Sequence, residues 1–172
     1  MVSVERRAAV KALLAHRGEG EARALVVSGL GSPTWDLHAA GDAAENFYLW
    51  GAMGGAAMVA LGVAQAQPAR RVIALTGDGE QLMALGALAT IGAAKPANLS
   101  VVVLDNEHYA ETGAQPSHTG RGVDLAEVAR ACGFAETAVA RSLPEAEALG
   151  ARLAEPANGP RLFVVKIGVE AP

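Results

Sequence analysis

The sequence is short of several residue types, and each shortage excludes a class of protein. Cys132 is the only cysteine among 172 residues, so an intrachain disulfide and a site built on paired cysteines are excluded. The formal net charge of −4 leaves no basic surface of the kind that binds nucleic acid. Aromatic residues make up only 4%, and the apolar residues are mostly Ala, Val and Leu. That composition suits helices packed closely on a sheet.

Long apolar runs are also missing. The least polar stretch, residues 52–64, is too short and too rich in glycine to span a bilayer. Charged residues are spaced through residues 1–17, unlike a signal peptide. We therefore expect a cytoplasmic protein without a membrane partner. The length is that of about one domain, residues 1–172, and the hydrophobic content of 51% against 19% charged residues indicates a globular chain.

The sequence Gly-Asp-Gly at residues 77–79 is the main candidate for a ligand-binding motif in the chain. It follows a β-branched apolar run at residues 71–76, and a second such run at residues 99–104 is followed within two residues by Asn106. In a parallel sheet the ends of these two strands lie at the same edge, where open α/β sheets bind ligands. Asp78 and Asn106 therefore offer oxygen ligands of the kind that Mg²⁺ prefers when it is shared with a phosphate group.

Strands and helices alternate along the whole chain. The pattern predicts helices at residues 3–17, 56–65, 81–94, 125–132 and 144–155, and strands at residues 24–28, 71–76, 99–104, 137–140 and 162–167. Residues 107–122 are predicted to form a long loop, and such loops are often functional lids. We expect an α/β fold of three layers, with helices on both faces of a mostly parallel sheet of about six strands.

The spacing of the central motif resembles that of thiamine diphosphate-dependent enzymes, whose motif opens with Gly-Asp-Gly and closes with Asn-Asn. Residues 80–104 separate the two ends here, and Asp105 stands where the family has its first Asn. Three further segments are similar to the family: NFYLWGAMGGA at 46–56, LATIG at 88–92 and DNEHYAETGAQPSHTG at 105–120. The resemblance runs from about Ser3 to Gly168 and is to the diphosphate-binding part of sulfopyruvate and phosphonopyruvate decarboxylases.

The resemblance implies a cofactor site and a metal site. Mg²⁺ would be held by Asp78, Asn106 and the main-chain oxygen of His108. In the family the residue matching Met53 wedges between the two cofactor rings, and the carbonyl matching Gly51 accepts a hydrogen bond from the 4-amino group. The cofactor-binding residues implied in this way are Gly31, Ser32, Gly51, Met53, Gly77, Asp78, Gly79, Glu80, Asn106 and Tyr109.

The glycine-rich turn at residues 29–34 lies between a predicted strand and a helix with Pro33 near its start. Such a turn presents free N–H groups to an anion, although an ordinary strand-to-helix turn has the same pattern. By similarity, this turn would hold the cofactor's diphosphate.

The family also needs a carboxylate at N1′ of the pyrimidine ring, which a separate pyrimidine-binding domain supplies. No glutamate here lies in a matching context, so the resemblance implies a partner α subunit that supplies the catalytic Glu, in a hetero-oligomer with at least two copies of each chain. The substrate would be a small anionic 2-oxo acid. Decarboxylation would convert 3-sulfopyruvate to sulfoacetaldehyde, or 3-phosphonopyruvate to phosphonoacetaldehyde.

Three residues of the long loop are candidates for contact with the substrate. His108 and His118 are candidate catalytic groups because an imidazole titrates near neutral pH. Each histidine is equally interpretable as a solvated side chain, and Arg121 could meet an anionic group, although an arginine at the end of a loop is more often solvated. Other functions stay open: carboligation like that of acetolactate synthase, a regulatory subunit, or a nucleotide- or phosphate-binding module without catalysis.

Overall fold

The structure is a computed structural model that describes residues 4–169, and its centre is a parallel sheet of six strands. The strands of this sheet are β1 (Leu25–Ser28), β2 (Asn46–Tyr48), β3 (Val72–Gly77), β4 (Leu99–Asp105), β7 (Glu136–Ala140) and β8 (Arg161–Lys166). Their order across the sheet is β2-β1-β3-β4-β8-β7, and every neighbouring pair is parallel. Two short strands, β5 (His108–Tyr109) and β6 (Gln115–Pro116), form an antiparallel hairpin outside this sheet.

Seven α-helices accompany the strands in the described part of the chain. They are α1 (Arg6–Leu14), α2 (Ser32–Ala39), α3 (Ala56–Ala66), α4 (Asp78–Met83), α5 (Leu85–Ala94), α6 (Leu125–Ala131) and α7 (Leu143–Ala154). Helices α3, α5 and α6 share one hydrophobic cluster with the sheet, while α1, α2 and α7 share a second cluster. The predicted three-layer α/β/α architecture with about six parallel strands is therefore confirmed. No helix among residues 4–169 is both long and apolar enough to cross a membrane.

Strand β4 shows why the apolar runs of the sequence form this sheet. All seven of its residues are buried, because helices cover both of its faces. Consecutive side chains point to opposite faces of a strand. Val101 and Val103 accordingly lie in the cluster with α3, α5 and α6, while Val102 and Leu104 lie in the other cluster. A strand buried on both faces needs a continuous apolar run rather than an alternating one.

A topological switch point lies between β1 and β3. After β1 the chain moves outward to β2 at the edge of the sheet, and then returns to place β3 on the other side of β1. The connections that leave the carboxyl ends of β1 and β3 therefore separate and open a crevice, which is where open α/β sheets bind ligands. The glycine-rich turn after β1 and the Gly-Asp-Gly sequence after β3 both lie at this crevice.

Two predicted segments differ from the structure. The helix predicted at residues 81–94 is broken at Ala84, whose carbonyl accepts a hydrogen bond from the buried side-chain amide of Gln81 at 3.2 Å. The loop predicted at residues 107–122 contains the β5–β6 hairpin. The remaining predicted elements occur with shifted ends; the first helix spans Arg6–Leu14, and its predicted start at Ser3 lies outside the described residues.

Candidate cofactor site

A cavity lies at the switch point between β1 and β3. Its lining includes nine of the twelve residues that were predicted to bind the cofactor or the metal or to act in catalysis: Ser32, Met53, Gly77, Asp78, Gly79, Glu80, Asn106, His108 and Tyr109. Gly31, Gly51 and His118 are not part of this lining. The fold thus brings the turn after β1, the start of α4 and the β5–β6 hairpin around a single space.

Asp78 begins helix α4 and is almost completely buried, with 2% of its surface exposed. The Ser117 hydroxyl lies 2.5 Å from Asp78 Oδ2, and the Thr119 hydroxyl lies 3.2 Å from the same oxygen. Thr119 also donates to Asp105 Oδ1 at 2.7 Å. Two hydroxyl groups therefore connect two buried carboxyl groups, which lie at the ends of β3 and β4.

Burial raises the pKa of Asp78, and repulsion from Asp105 adds to the effect, although hydrogen bonds from Ser117 and Thr119 oppose it. Four short oxygen–oxygen contacts join these groups, including one of 2.9 Å between the two hydroxyls, but the hydroxyls carry only two protons. A proton on Asp78, or a cation beside its carboxylate, would supply the missing positive charge.

The other two predicted metal ligands lie in the segment after β4. Asn106 lines the cavity with its side chain half-buried, and its Oδ1 accepts a hydrogen bond from the His108 N–H at 3.0 Å. Ser117 N–H donates to Glu107 O, so His108 faces Pro116 as a non-hydrogen-bonded pair of the hairpin. In such a pair the main-chain carbonyl points away from the partner strand. The His108 carbonyl is therefore not used by the hairpin.

This donor set fits a magnesium ion. It combines one carboxylate, one amide oxygen and one main-chain oxygen, all hard ligands, and leaves room for phosphate oxygens and water. No group of three or more His, Cys, Asp or Glu side chains among residues 4–169 could hold a metal. The predicted set is not such a group, because only Asp78 would bind through a side chain of those types.

Glu80 connects the three segments around the cavity through its side chain. Its carboxylate accepts hydrogen bonds from the Thr76 hydroxyl at 2.9 Å and from the Gly54 N–H at 3.2 Å. A Cβ atom on Gly29 would lie 1.6 Å from Glu80 Oε2, so only glycine fits there while Glu80 keeps this position. Burial raises the pKa of Glu80, and the hydrogen bond from Thr76 opposes the shift. The side chain thus fixes the turn after β1 against the segment before α3.

Tyr109 and the two loop histidines lie on the hairpin side of the cavity. The Tyr109 ring packs on Gly79, where a Cβ atom would come within 2.6 Å of the ring. His108 Nδ1 lies 2.9 Å from the Asn106 carbonyl, which can only accept, so Nδ1 carries the proton and Nε2 is available for proton exchange. His118 is exposed and lies outside the cavity lining, and its Nδ1 is 3.5 Å from the Tyr109 hydroxyl.

Asp105 departs from the family's motif, and an ion pair compensates for the change. Asp105 is directly paired with Lys166 of β8, whose Nζ lies 2.7 Å from Asp105 Oδ2 and 2.7 Å from Glu107 Oε1. Burial alone would lower the pKa of Lys166, but the hydrogen bonds to the two carboxylates outweigh burial and raise it. The hydrogen bond from Lys166 lowers the pKa of Glu107. The buried carboxylate at the end of β4 is thus neutralised by a lysine of the next strand.

Of the apolar side chains that are exposed between residues 35 and 85, we call six the apolar rim, and one of the six, Met53, lines the cavity. Its members are Trp35, Trp50, Met53, Met58, Met83 and Leu85, each at least 36% exposed. Trp35 and Trp50 pack edge to face with ring centroids 6.1 Å apart. Gly54 lies against Met83, so the segment after β2 and the α4–α5 break form one surface. Exposed apolar surface of this kind marks interaction sites in soluble proteins.

Sequence reasoning missed part of the cavity. The cavity is also lined by Arg6, Glu111 and Thr112. Asp78 is hydrogen-bonded by Ser117 and Thr119, which are not part of the lining. Arg6 belongs to the first predicted helix, whose residues had no predicted role in a site. Arg121, a candidate for contact with the substrate, is exposed and is not among the described lining residues.

Comparison with known proteins identifies the family. Residues 35–167 match the model described as "Thiamine pyrophosphate enzyme, C-terminal TPP binding domain". The chain is 40% identical over 138 residues to sulfopyruvate decarboxylase subunit beta of Methanocaldococcus jannaschii, covering 80% of this chain and 71% of that protein. It is 44% identical over 145 residues to phosphonopyruvate decarboxylase of Streptomyces viridochromogenes, covering 84% of this chain and 36% of that protein.

Solved structures show the same fold. One is a putative thiamin diphosphate-dependent enzyme from Mycobacterium smegmatis, with a TM-score of 0.81 and 26% identity over 98% of this chain and 32% of that chain. Another is benzoylformate decarboxylase from Polynucleobacter necessarius, with a TM-score of 0.80 and 19% identity over 100% of this chain and 34% of that chain. The chain therefore belongs to the thiamine pyrophosphate enzymes and carries their cofactor-binding domain. The predicted family and the predicted cofactor, thiamine diphosphate, are confirmed.

Proposed function

We propose that this chain is the diphosphate-binding β subunit of a magnesium-dependent 2-oxo acid decarboxylase. Its substrate is a 3-carbon 2-oxo acid with a terminal sulfonate or phosphonate group, and the products are CO2 and the corresponding aldehyde. The names of two curated relatives, a sulfopyruvate decarboxylase subunit and a phosphonopyruvate decarboxylase, support this substrate class.

The observation that carries the proposal is the position of Asp78. This carboxyl group is buried at the end of β3, its pKa is raised by burial, and Asn106 at the end of β4 lines the same cavity. A buried carboxylate whose charged neighbour is another carboxylate costs free energy unless a cation lies beside it. A magnesium ion shared with the cofactor's diphosphate would provide that cation.

The residues of this chain would bind and orient the cofactor. When bound, thiamine diphosphate accepts the electron pair that remains when CO2 leaves the substrate. Asp78, Asn106 and the His108 carbonyl would hold its diphosphate through Mg²⁺. Main-chain N–H groups at the start of α4, at Gly79 and Glu80, would bind phosphate oxygens directly. His108 lines the same cavity, and its Nε2 would first take up a proton from water and then deliver it to the carbon that becomes the aldehyde.

Met53 and the partner subunit complete the proposed site. Met53 lines the cavity with 42% of its surface exposed, so it can contact both the cofactor and a second protein. Glu80 is the buried glutamate of the cavity, but its carboxylate is occupied by Thr76 and Gly54. A partner subunit that packs on the apolar rim would bring the glutamate for N1′ of the cofactor. Several relatives are themselves named as subunits, which supports a hetero-oligomer.

Reconstitution tests the proposal. The purified chain is mixed with Mg²⁺, thiamine diphosphate and 3-sulfopyruvate or 3-phosphonopyruvate, with and without a candidate α subunit of comparable size. We expect aldehyde and CO2 in equal amounts only when both subunits and Mg²⁺ are present. A carboligation product in place of the aldehyde would contradict the proposed reaction, and full turnover by this chain alone would contradict the shared site.

A further inference from the structure

Ser117 and Thr119 contact Asp78 but do not line the cavity, so the proposed cofactor contacts leave both without a role. Ser117 has no exposed surface, and Thr119 is 7% exposed. Buried hydroxyl groups find their hydrogen-bond partners within the protein, and here both hydroxyls reach the same oxygen, Asp78 Oδ2. One oxygen of the proposed metal ligand is therefore held by side chains that lie outside the cavity.

The pairing of Lys166 with Asp105 decides which acceptor each hydroxyl serves. Because Lys166 Nζ lies 2.7 Å from Asp105 Oδ2, Asp105 is ionised and its oxygens can only accept. Thr119 carries one hydroxyl proton, and its 2.7 Å contact with Asp105 Oδ1 is shorter than its 3.2 Å contact with Asp78. The Thr119 proton therefore goes to Asp105. Ser117 is left to donate to Asp78 at 2.5 Å, a distance typical of a hydroxyl bound to a carboxylate.

The bond from Ser117 decides which oxygen of Asp78 can face a metal ion. Oδ2 receives the Ser117 proton and lies against Thr119, whereas Oδ1 takes part in neither contact. A carboxylate that is held through one oxygen presents the other as a single, directed ligand. Such a ligand suits the strict octahedral geometry that Mg²⁺ requires.

The main chain connects Ser117 to the other proposed metal ligands. Its N–H donates to the Glu107 carbonyl at 2.8 Å, and the preceding residue, Pro116, pairs with His108 in the β5–β6 hairpin. Asn106 accepts a hydrogen bond from the His108 N–H at the start of the same hairpin. The group that holds Asp78 and the segment that carries the other two ligands therefore form one hydrogen-bonded unit.

We propose that Ser117 is a positioning residue for the metal ligand: its hydroxyl holds Oδ2 of Asp78 so that Oδ1 faces the magnesium ion. The inference rests on the proposed function, which supplies that ion. Ser117 acts through Asp78 and contacts neither the metal nor the cofactor. Hydrogen-bond partners of metal ligands typically contribute about 10- to 100-fold to metal affinity.

Titration of Mg²⁺ into the full chain in the presence of thiamine diphosphate tests this role. The proteins are the wild type, Ser117→Ala and Thr119→Val, and calorimetry gives the affinity for the metal. Thr119→Val is the matched control, because it removes a buried hydroxyl of the same network but leaves Asp78 the Ser117 donor. We expect Ser117→Ala to weaken Mg²⁺ binding at least about tenfold, and Thr119→Val to weaken it less than about threefold.

A second metal separates positioning from stability. Ca²⁺ accepts irregular shells and carboxylates that bind through one oxygen or two, whereas Mg²⁺ requires near-octahedral geometry. A carboxylate released by Ser117→Ala still serves Ca²⁺, so we expect the affinity for Ca²⁺ to fall less than about threefold. Ser117→Cys keeps a weak donor and should lie between the wild type and Ser117→Ala for Mg²⁺. Thermal melts in EDTA check folding, and if Ser117→Ala does not fold, Ser117→Cys replaces it with an expected loss of at least about threefold.

Three results would overturn the role of Ser117. They are unchanged Mg²⁺ affinity in both Ser117 variants, an equal loss in Ser117→Ala and Thr119→Val, and an equal loss for Mg²⁺ and Ca²⁺. The last two would indicate a hydrogen bond that only stabilises the fold. Failure of the proposed function gives a different result. Mg²⁺ binding that depends on Ser117, without activity in any reconstituted complex, would refute the decarboxylase and keep the positioning role, whereas a wild type that binds no Mg²⁺ would refute both.

Discussion

Replacement of Asp78 by asparagine is expected to stabilise the metal-free protein and to abolish magnesium-dependent binding of the cofactor. Asparagine keeps the shape of the side chain and removes a buried negative charge. Its amide group can donate to Ser117, which can donate to Thr119, which donates to Asp105. Every contact in that chain then has a proton, whereas the ionised aspartate leaves the hydroxyls with too few.

The expected gain is about 1–2 kcal/mol, the contribution of one satisfied buried hydrogen bond. For a chain of this length that corresponds to a rise in Tm of roughly 2–8 °C. Binding of magnesium and the cofactor is expected to raise the Tm of the wild type and not that of the variant. A ligand at 100 times its Kd stabilises the folded state by about 2.7 kcal/mol, so the wild type with Mg²⁺ and cofactor becomes more stable than the variant. The order of the two Tm values should therefore reverse when the ligands are added.

The pH dependence follows from the raised pKa of Asp78. Burial raises this pKa in the folded state, so the folded state retains its proton more strongly than the unfolded chain, whose aspartates titrate near about 3.9. The stability contributed by that proton is complete below about pH 4 and is lost as the pH rises through the folded-state pKa. The advantage of Asp78→Asn should accordingly be absent near pH 4 and largest at neutral pH.

Thermal melts between pH 4 and pH 8, in EDTA and then in Mg²⁺ with thiamine diphosphate, test this reasoning. Glu147→Gln is the control, because Glu147 is an exposed acid on α7. An Asp78→Asn protein that is no more stable than the wild type in EDTA at neutral pH would refute the account of the buried carboxylate. A magnesium-dependent shift of wild-type size in the variant would refute its role as a metal ligand.

Two further predictions concern neighbouring parts of the site. Met53→Ala should leave cofactor binding within about threefold of the wild type, because no polar contact is lost. It should lower turnover of the reconstituted complex about 100-fold, because the cofactor rings are misplaced. Full activity of the variant would show that Met53 only packs in the hydrophobic surface. Lys166→Met should lower the free energy of unfolding by about 3 kcal/mol in chemical denaturation, because it leaves the Asp105 carboxylate buried beside Glu107 without its cation. Lys166→Met/Asp105→Asn should recover most of that loss, and a single variant within about 0.5 kcal/mol of the wild type would contradict the proposed pairing.

Much of the fold could be predicted because local patterns and global packing agree. The run at residues 99–104 forms β4, since a strand covered on both faces is typically a nearly continuous apolar run. The break at Ala84 could not be predicted in this way. Residues 81–94 have the composition of one helix, and the break depends on the buried Gln81 amide and on the segment at Gly54, which packs against Ala84.

The residues of the candidate site also include some that the sequence could predict and some that it could not. Asp78 and Asn106 were predictable because each directly follows a strand, and parallel strands end at one edge. The spacing of the motif and its resemblance to a known family supplied their proposed roles. Ser117 and Thr119 were not predictable, because they reach Asp78 across 39 and 41 residues of chain through the hairpin. Lys166 was also missed, since only the register of β4 against β8 places it opposite Asp105.

The sequence by itself determined most of the order of strands and helices, the family and the position of the Gly-Asp-Gly motif, because these depend on neighbouring residues and on periodicity. Only the tertiary structure decided which distant side chains meet at the cavity. The pairing of Val4 with Ile167 brings Arg6 to the same edge as Asp78, although 72 residues separate them in the chain. The sequence of the first helix does not show whether a charged residue near its start faces solvent or a cavity. The position of that start beside the end of β8 decides this. Long-range contacts of this kind depend on strand register and packing, and no local pattern encodes them.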